Sequence, residues 1–148
     1  MQHLLKLLLI DLHTGYFKVN GFKKVRNKFL RELDGVIQEV EFQSSRWNTK
    51  GEAAVFYVNV GITFTDIATA EGTRGGRHGD GRMPGLIPGL PPQYELIETN
   101  LGVVRDELIA NFPMLLEVIP SHYEDVRQLA LKGFQTMIPM PDSWRKDH

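Results

Sequence analysis

The sequence predicts an α+β domain: an antiparallel meander of three to four strands, with an N-terminal helix and C-terminal helices packed on one face. Three observations carry this expectation. Apolar residues recur at helical spacing near the start, in "LLKLLLIDL", and again after Leu101. Between those ends lie runs that alternate apolar and polar, as a strand with one buried face requires. An Asp34-Gly35 pair separates two such runs, and a two-residue hairpin turn favours that pair because both of its positions need positive φ. Strands gathered in the middle of the chain, with helices before and after, place helices against an antiparallel sheet.

The elements follow in order. Residues 2–19 read as a helix, since Leu4, Leu8 and Leu12 fall four apart with Leu5 and Leu9 beside them. Asn20-Gly21 supplies a stop, because glycine tolerates the left-handed backbone that closes a helix; Gly15 is a point where it can end early. Accepting the turn at 34–35 sets a register. Leu33 faces Val36, Arg31 faces Gln38 and Phe29 faces Val40 on a mainly apolar side. Lys28 faces Glu41, Leu30 faces Glu39 and Glu32 faces Ile37 on the other. A one-residue slip would mix the two sides.

Residues 52–65 are the most strand-like. Phe56, Val58, Val60, Ile62 and Phe64 share one face and Val55, Tyr57 and Asn59 the other, which suits a central strand covered on both sides. Residues 48–51 supply the turn into it. The stretch 71–92, "EGTRGGRHGDGRMPGLIPGLPP", is rich in glycine and proline and reads as a long loop. Residues 93–99 suit a returning strand. Val104 and Leu108 open a helical pattern that Pro113 ends or kinks before Leu115 and Leu116. Pro120, Ser121 and Glu124 form a capping-box pattern for a last helix to about Phe134, and an extended tail is expected from about 136.

The 148 residues fit one domain, and 42% hydrophobic with 24% charged residues is enough for one core. A formal net charge of -1 creates no global field to recruit nucleic acid or an anionic membrane. The absence of cysteine excludes disulfides and thiol chemistry and fits a reducing cytoplasm, the expected location. The N-terminal apolar run is broken by Lys6 and bounded by Asp11. It is also far shorter than the ~20 residues that span a bilayer. A buried helix is therefore expected there, and no membrane association.

Residues 21–62 resemble the family called domain of unknown function 4304. The motifs are "GFKK" at Gly21, Phe22, Lys23 and Lys24, Phe29 and Arg31 on a strand, Gln43, Ser45 and Trp47 at a strand end, and Asn59 with Gly61 on the next strand. Leu30 stands where the family often has an aromatic residue. The resemblance implies a small α+β domain and assigns no activity.

Candidate binding residues come first from the strand end "FQSSRWN". Gln43 and Ser45 share a side, Arg46 offers a planar fork of donors to a carboxylate or phosphate, and Trp47 offers a flat face. The competing reading makes Trp47 a core edge and Arg46 an ordinary ion-pair partner. Arg31 opposite Gln38 could line a pocket floor with Asn59, or Arg31 could reach past the covering helix to water. In the glycine-rich stretch, Arg74, Arg77, His78 and Arg82 form a candidate anion-binding loop. It lacks the Walker ending and the dinucleotide spacing, and a solvated loop is the competing reading.

Glu39 and Glu41 share a strand face, but Lys28 opposite makes ion pairing the better reading than acid–base catalysis. His3, His13, His78, His122 and His148 show no metal-ligand spacing, and neither a metal nor a cofactor is expected. The lack of a nucleophile motif favours a non-catalytic binding module for a protein partner or small anionic ligand. The alternatives are a small enzyme on a phosphorylated or nucleotide-like ligand, with His78 as proton donor, and a nucleic-acid binder through 18–31 and 74–82.

Overall fold

The structure, a computed structural model, describes residues 2–45, 54–71 and 77–138. Chain reversal at Asp34 (φ 51°) and Gly35 (φ 81°) organises the sheet. It joins strands β2 (Lys28–Leu33) and β3 (Val36–Ser44) in the register that the alternation predicts, from Leu33 opposite Val36 to Lys28 opposite Glu41. Strand β4 (Ala54–Phe64) continues the meander against the whole length of β3.

Three further strands and a fourth short one widen this core of the sheet. Before the hairpin, β1 (Lys23–Val25) pairs with β2. On the far edge of β4, β5 (Gly79–Arg82) pairs with residues 59–62 and β6 (Tyr94–Leu96) with residues 54–56. Finally β7 (Thr136–Met137) runs parallel to β5. The sheet thus has seven strands in the order β1-β2-β3-β4-β5-β7, with β6 also on β4, and β4 is central.

The even-numbered side of β3 and β4 carries the core. Val40, Phe42, Phe56, Val60 and Ile62 are fully buried there under the helices. Helix α1 (Gln2–Leu12) contributes Leu5, Leu8, Leu9 and Leu12, and a π-helical turn (His13–Phe17) follows it through Gly15. Gly21, at φ 84°, closes this segment as expected. The turn delivers Phe17 to the centre of an aromatic cluster, stacked on Phe29 at 4.0 Å and 4.8 Å from Phe112. Burying one such ring contributes roughly 1.5–3 kcal/mol.

Helix α2 (Thr65–Glu71) follows β4 directly, so the strand stops at Phe64. Its Asp66 accepts two hydrogen bonds, of 3.0 and 2.6 Å, from Arg127.

Three expectations are corrected. The 71–92 stretch holds regular structure: β5, and a short helix α3 (Met83–Leu86) whose Met83 and Leu86 are fully buried. Glycine serves packing there. A Cβ at Gly79 would come within 2.8 Å of Val126 on helix α5 (Tyr123–Leu131), so that helix rests on bare strand backbone. Pro113 does not end its helix, since α4 runs unbroken from Leu101 to Val118. Phe112 and Leu115, on either side of the proline, are both fully buried, and that packing outweighs the lost hydrogen bond. The capping box does not form. Ile119–His122 is a 3-10 turn in which the Ser121 hydroxyl donates to the Val118 carbonyl at 2.5 Å, and α5 starts only at Tyr123. Of the extended tail expected from about 136, Thr136–Met137 joins the sheet as β7 and Ile138 is 4% exposed, and residues 139–148 lie outside the described residues.

Candidate functional site: the open face of the sheet

The helices pack on one side of the sheet, so the odd-numbered residues of β3 and β4 form an open face. Register decides who meets whom: Glu39 lies opposite Gly61, Glu41 opposite Asn59 and Gln43 opposite Tyr57. Two glutamates on one strand face leave more negative charge than Lys28 alone balances. Its Nζ lies 3.8 Å from Glu39 and 3.9 Å from Glu41.

Arg77 supplies the second cation. Its side chain lies flat across Gly61, and its guanidinium contacts Glu39 and lies 3.1 Å from Glu41 Oε1. A Cβ at position 61 would sit 2.7 Å from Arg77 Cδ and 2.9 Å from Nε, so only glycine leaves the path open. Asn59 Nδ2 then donates to Glu41 Oε1 at 3.1 Å and to Gln43 Oε1 at 2.8 Å.

Partial burial pushes the Glu41 carboxyl up, but the Asn59 and Arg77 hydrogen bonds, with the Arg77 and Lys28 charges, outweigh it and hold the group below its ordinary value. Glu41 is therefore ionised at neutral pH and acts as an ion-pair acceptor. A general acid would need the opposite shift.

Next to this network, Arg82 of β5 lies opposite Asn59. Its guanidinium sits 4.0 Å from the centroid of the Tyr57 ring. Arg82 is exposed and makes no ion pair among the described residues. A guanidinium laid on a ring keeps its N–H donors at the rim, where a planar anion can reach them. Arg82 opens onto a cleft of about 410 Å³ lined by Asn59, Arg77, Asp80, Gly85 and Ile138. Asp80 accepts a hydrogen bond from Gln135 at 3.0 Å.

The candidates from sequence divide between the two faces. Gln43, Asn59, Arg77 and Arg82 come together on the open face. Ser45 continues the β3–β4 pairing beyond the strand end, its N–H donating to the Val55 carbonyl at 2.9 Å, and is buried. Arg31 lies on the covered face, so it shares no pocket floor with Asn59. There its Nε donates to Gln38 at 2.7 Å, a terminal nitrogen donates to the Asn20 carbonyl at 2.9 Å, and the guanidinium lies 4.6 Å over Phe22. Gln38, 1% exposed, passes the chain on to the Tyr123 hydroxyl at 2.6 Å, which burial pushes up in pKa against the Gln38 bond and the Arg31 charge.

His78 sits in the connection just before β5 but is not a solvated loop side chain. It is buried, its Nδ1 accepts the Phe64 N–H at 2.9 Å, and its ring stacks on Phe64. Arg31, Gln43 and His78 therefore do not converge. Arg46, Trp47 and Arg74 lie outside the described residues. Among the described residues no group of three or more His, Asp or Glu side chains is placed to hold a metal, and no helix is long and apolar enough to cross a membrane.

Two partnerships escaped the sequence reading: Arg77 over Gly61, and Arg82 on Tyr57. The uncompensated glutamate pair on β3 was the signal for the first. Nothing in the sequence pointed to the second, which depends on how β5 docks.

Residues 13–78 match the family model described as Domain of unknown function (DUF4304). Over that segment, somewhat less than half of its length, the chain is similar to this family. Of the residues that carry the resemblance to DUF4304, Gln43, Asn59 and Gly61 fall on the open face and Phe29 and Arg31 on the covered one; Arg82 lies outside the matched segment. No curated protein and no solved structure matches the chain.

Proposed function

We propose that the protein is a non-catalytic binding module whose open sheet face recognises an anionic group on a protein partner or small ligand. The observation that carries this reading is Arg82, stacked on Tyr57 at the mouth of the cleft with no acidic partner among the described residues. Its neighbour Arg77 is already committed to Glu39 and Glu41. The network thus holds the cleft wall in place while Arg82 keeps its donors for an incoming carboxylate or phosphate. The exposed Gln43 adds a neutral amide beside it.

The absence of convergence between Arg31, Gln43 and His78 removes the main support for an enzyme built on those groups. A thermal-shift screen against inorganic phosphate, adenosine monophosphate and short peptides with free C-termini tests the proposal. A ligand at 100 times its Kd stabilises by ~2.7 kcal/mol. The expected result is one anion class that raises Tm in the native protein and fails to do so in Arg82→Ala, while Arg26→Ala retains the response. Equal responses in the native and Arg82→Ala proteins would end the reading.

A further inference from the structure

We infer a second, independent docking site: a groove between α1 and the β1–β2 turn that takes a short acidic, apolar segment of a partner protein. The groove measures about 800 Å³, within the ~300–1,000 Å³ of pockets that take drug-sized ligands. That volume suits a segment of a few residues.

Its chemistry has two halves. Leu5 and Leu9, one helical turn apart and almost fully buried, form the floor, and Ile10, 54% exposed, forms a wall. Around them stand Lys6 from α1, Lys24 from β1 and Arg26 from the turn. None of the three side chains makes an ion pair or hydrogen bond among the described residues, and no acidic residue among those described lines the groove. The one carboxylate of α1, Asp11, is engaged by Arg105 of α4 at 3.6 Å. In a chain of net charge -1, this is a local concentration of unmatched positive charge beside exposed apolar surface.

The turn is held to present it. Arg26 has φ 57°, a left-handed conformation that residues with a side chain seldom take. Neighbouring Asn27 is pinned to β3 twice: its backbone carbonyl accepts the Phe42 N–H and its Nδ2 donates to the Phe42 carbonyl, both at 2.9 Å. A glycine at position 26 would relieve the backbone but remove the cation.

Charge complementarity selects the occupant. Three cations on three separate elements call for several spaced carboxylates. A single head group, as on a fatty acid, would answer only one of them. The open, apolar floor calls for a leucine-like anchor between those carboxylates. This site lies on the helix side of the sheet, away from Arg82.

The test is fluorescence polarisation of a fluorescein-labelled hexapeptide alternating glutamate and leucine, titrated with the full chain. Binding that weakens with salt, falls at least tenfold in Lys24→Glu and in Arg26→Gly, and is unchanged in Lys132→Ala, an exposed cation outside both sites, supports the site. Arg26→Gly adds a readout that a merely structural arginine would not give: loss of binding with a Tm equal to or above the native value. No binding of this peptide, equal binding of a lysine–leucine peptide, or equal binding by Lys24→Glu overturns the inference. So does dodecanoate binding at the groove that the peptide fails to displace.

Discussion

The two faces of the central sheet are held by different physics. On the covered face, Phe17, Phe29, Phe42 and Phe56 are fully buried and touch ring to ring, and the polar Gln38 is tolerated because Arg31 and Tyr123 satisfy it. On the open face, Lys28, Glu39, Glu41, Asn59 and Arg77 hold one another by charge and hydrogen bonds in half-exposed positions. Close packing tolerates little change, whereas a partly solvated network can exchange one partner for water or for a ligand at small cost. Stability is thus concentrated on one side of the sheet, and the other side is left chemically available.

The largest effect should come from the covered face. Phe17→Ala removes the ring at the centre of the aromatic cluster and should cost about 3–5 kcal/mol in urea unfolding. A loss under about 1 kcal/mol would show that the core is centred elsewhere.

A matched pair of glycine substitutions sharpens the contrast. Gly79→Ala drives a methyl to 2.8 Å from Val126 Cγ1, against a packed helix, and should cost about 1–3 kcal/mol. Gly61→Ala meets Arg77, a side chain that can lift away, and should cost ~1 kcal/mol or less. Its mark should instead be the release of Glu41, whose carboxyl would titrate closer to the ordinary range by NMR. Equal destabilisation by the two would contradict the distinction between the faces.

The pH response is smaller again. The Glu41 carboxyl titrates lower in the folded protein than in the unfolded chain, so its contribution is complete above the unfolded value near 4.5 and disappears as pH falls through the lower folded value. Glu41→Gln should flatten that part of the stability–pH curve below pH ~4.5. Asp66, held down to about 2 by its hydrogen bonds from Arg127, should still be ionised where pH first falls below ~4.5 and serve as an internal reference in the same NMR titration. The smallest change is expected for Arg82→Ala, within ~0.5 kcal/mol of the native stability, although it should abolish anion binding. A large loss of stability there would make Arg82 a structural residue.

Much of this architecture was legible in the chain. The hairpin register followed from Asp34-Gly35, because a side-chain period of two leaves only one pairing that keeps Phe29 and Val40 together. The apolar stripe of α1 followed from periodicity in the same way; β4 is central as expected, but its Val55, Tyr57 and Asn59 face is open rather than covered. The 71–92 stretch misled because its glycines are used for closeness. At Gly79 a helix rests on the strand, and no local rule distinguishes that from a loop glycine. Pro113 misled because buried neighbours far apart in sequence hold α4 together across it.

The binding face shows the same division. Alternation alone places Glu39, Glu41 and Gln43 on one side of β3 and Asn59 on one side of β4, since these positions depend only on local backbone geometry. Whether Arg77 crosses Gly61, whether Arg82 reaches Tyr57, and that Arg31 serves the other face depend on how β5 and the helices dock onto β4. Contacts between residues distant in the chain are chosen by the packing of whole elements, and no short window of residues contains that information.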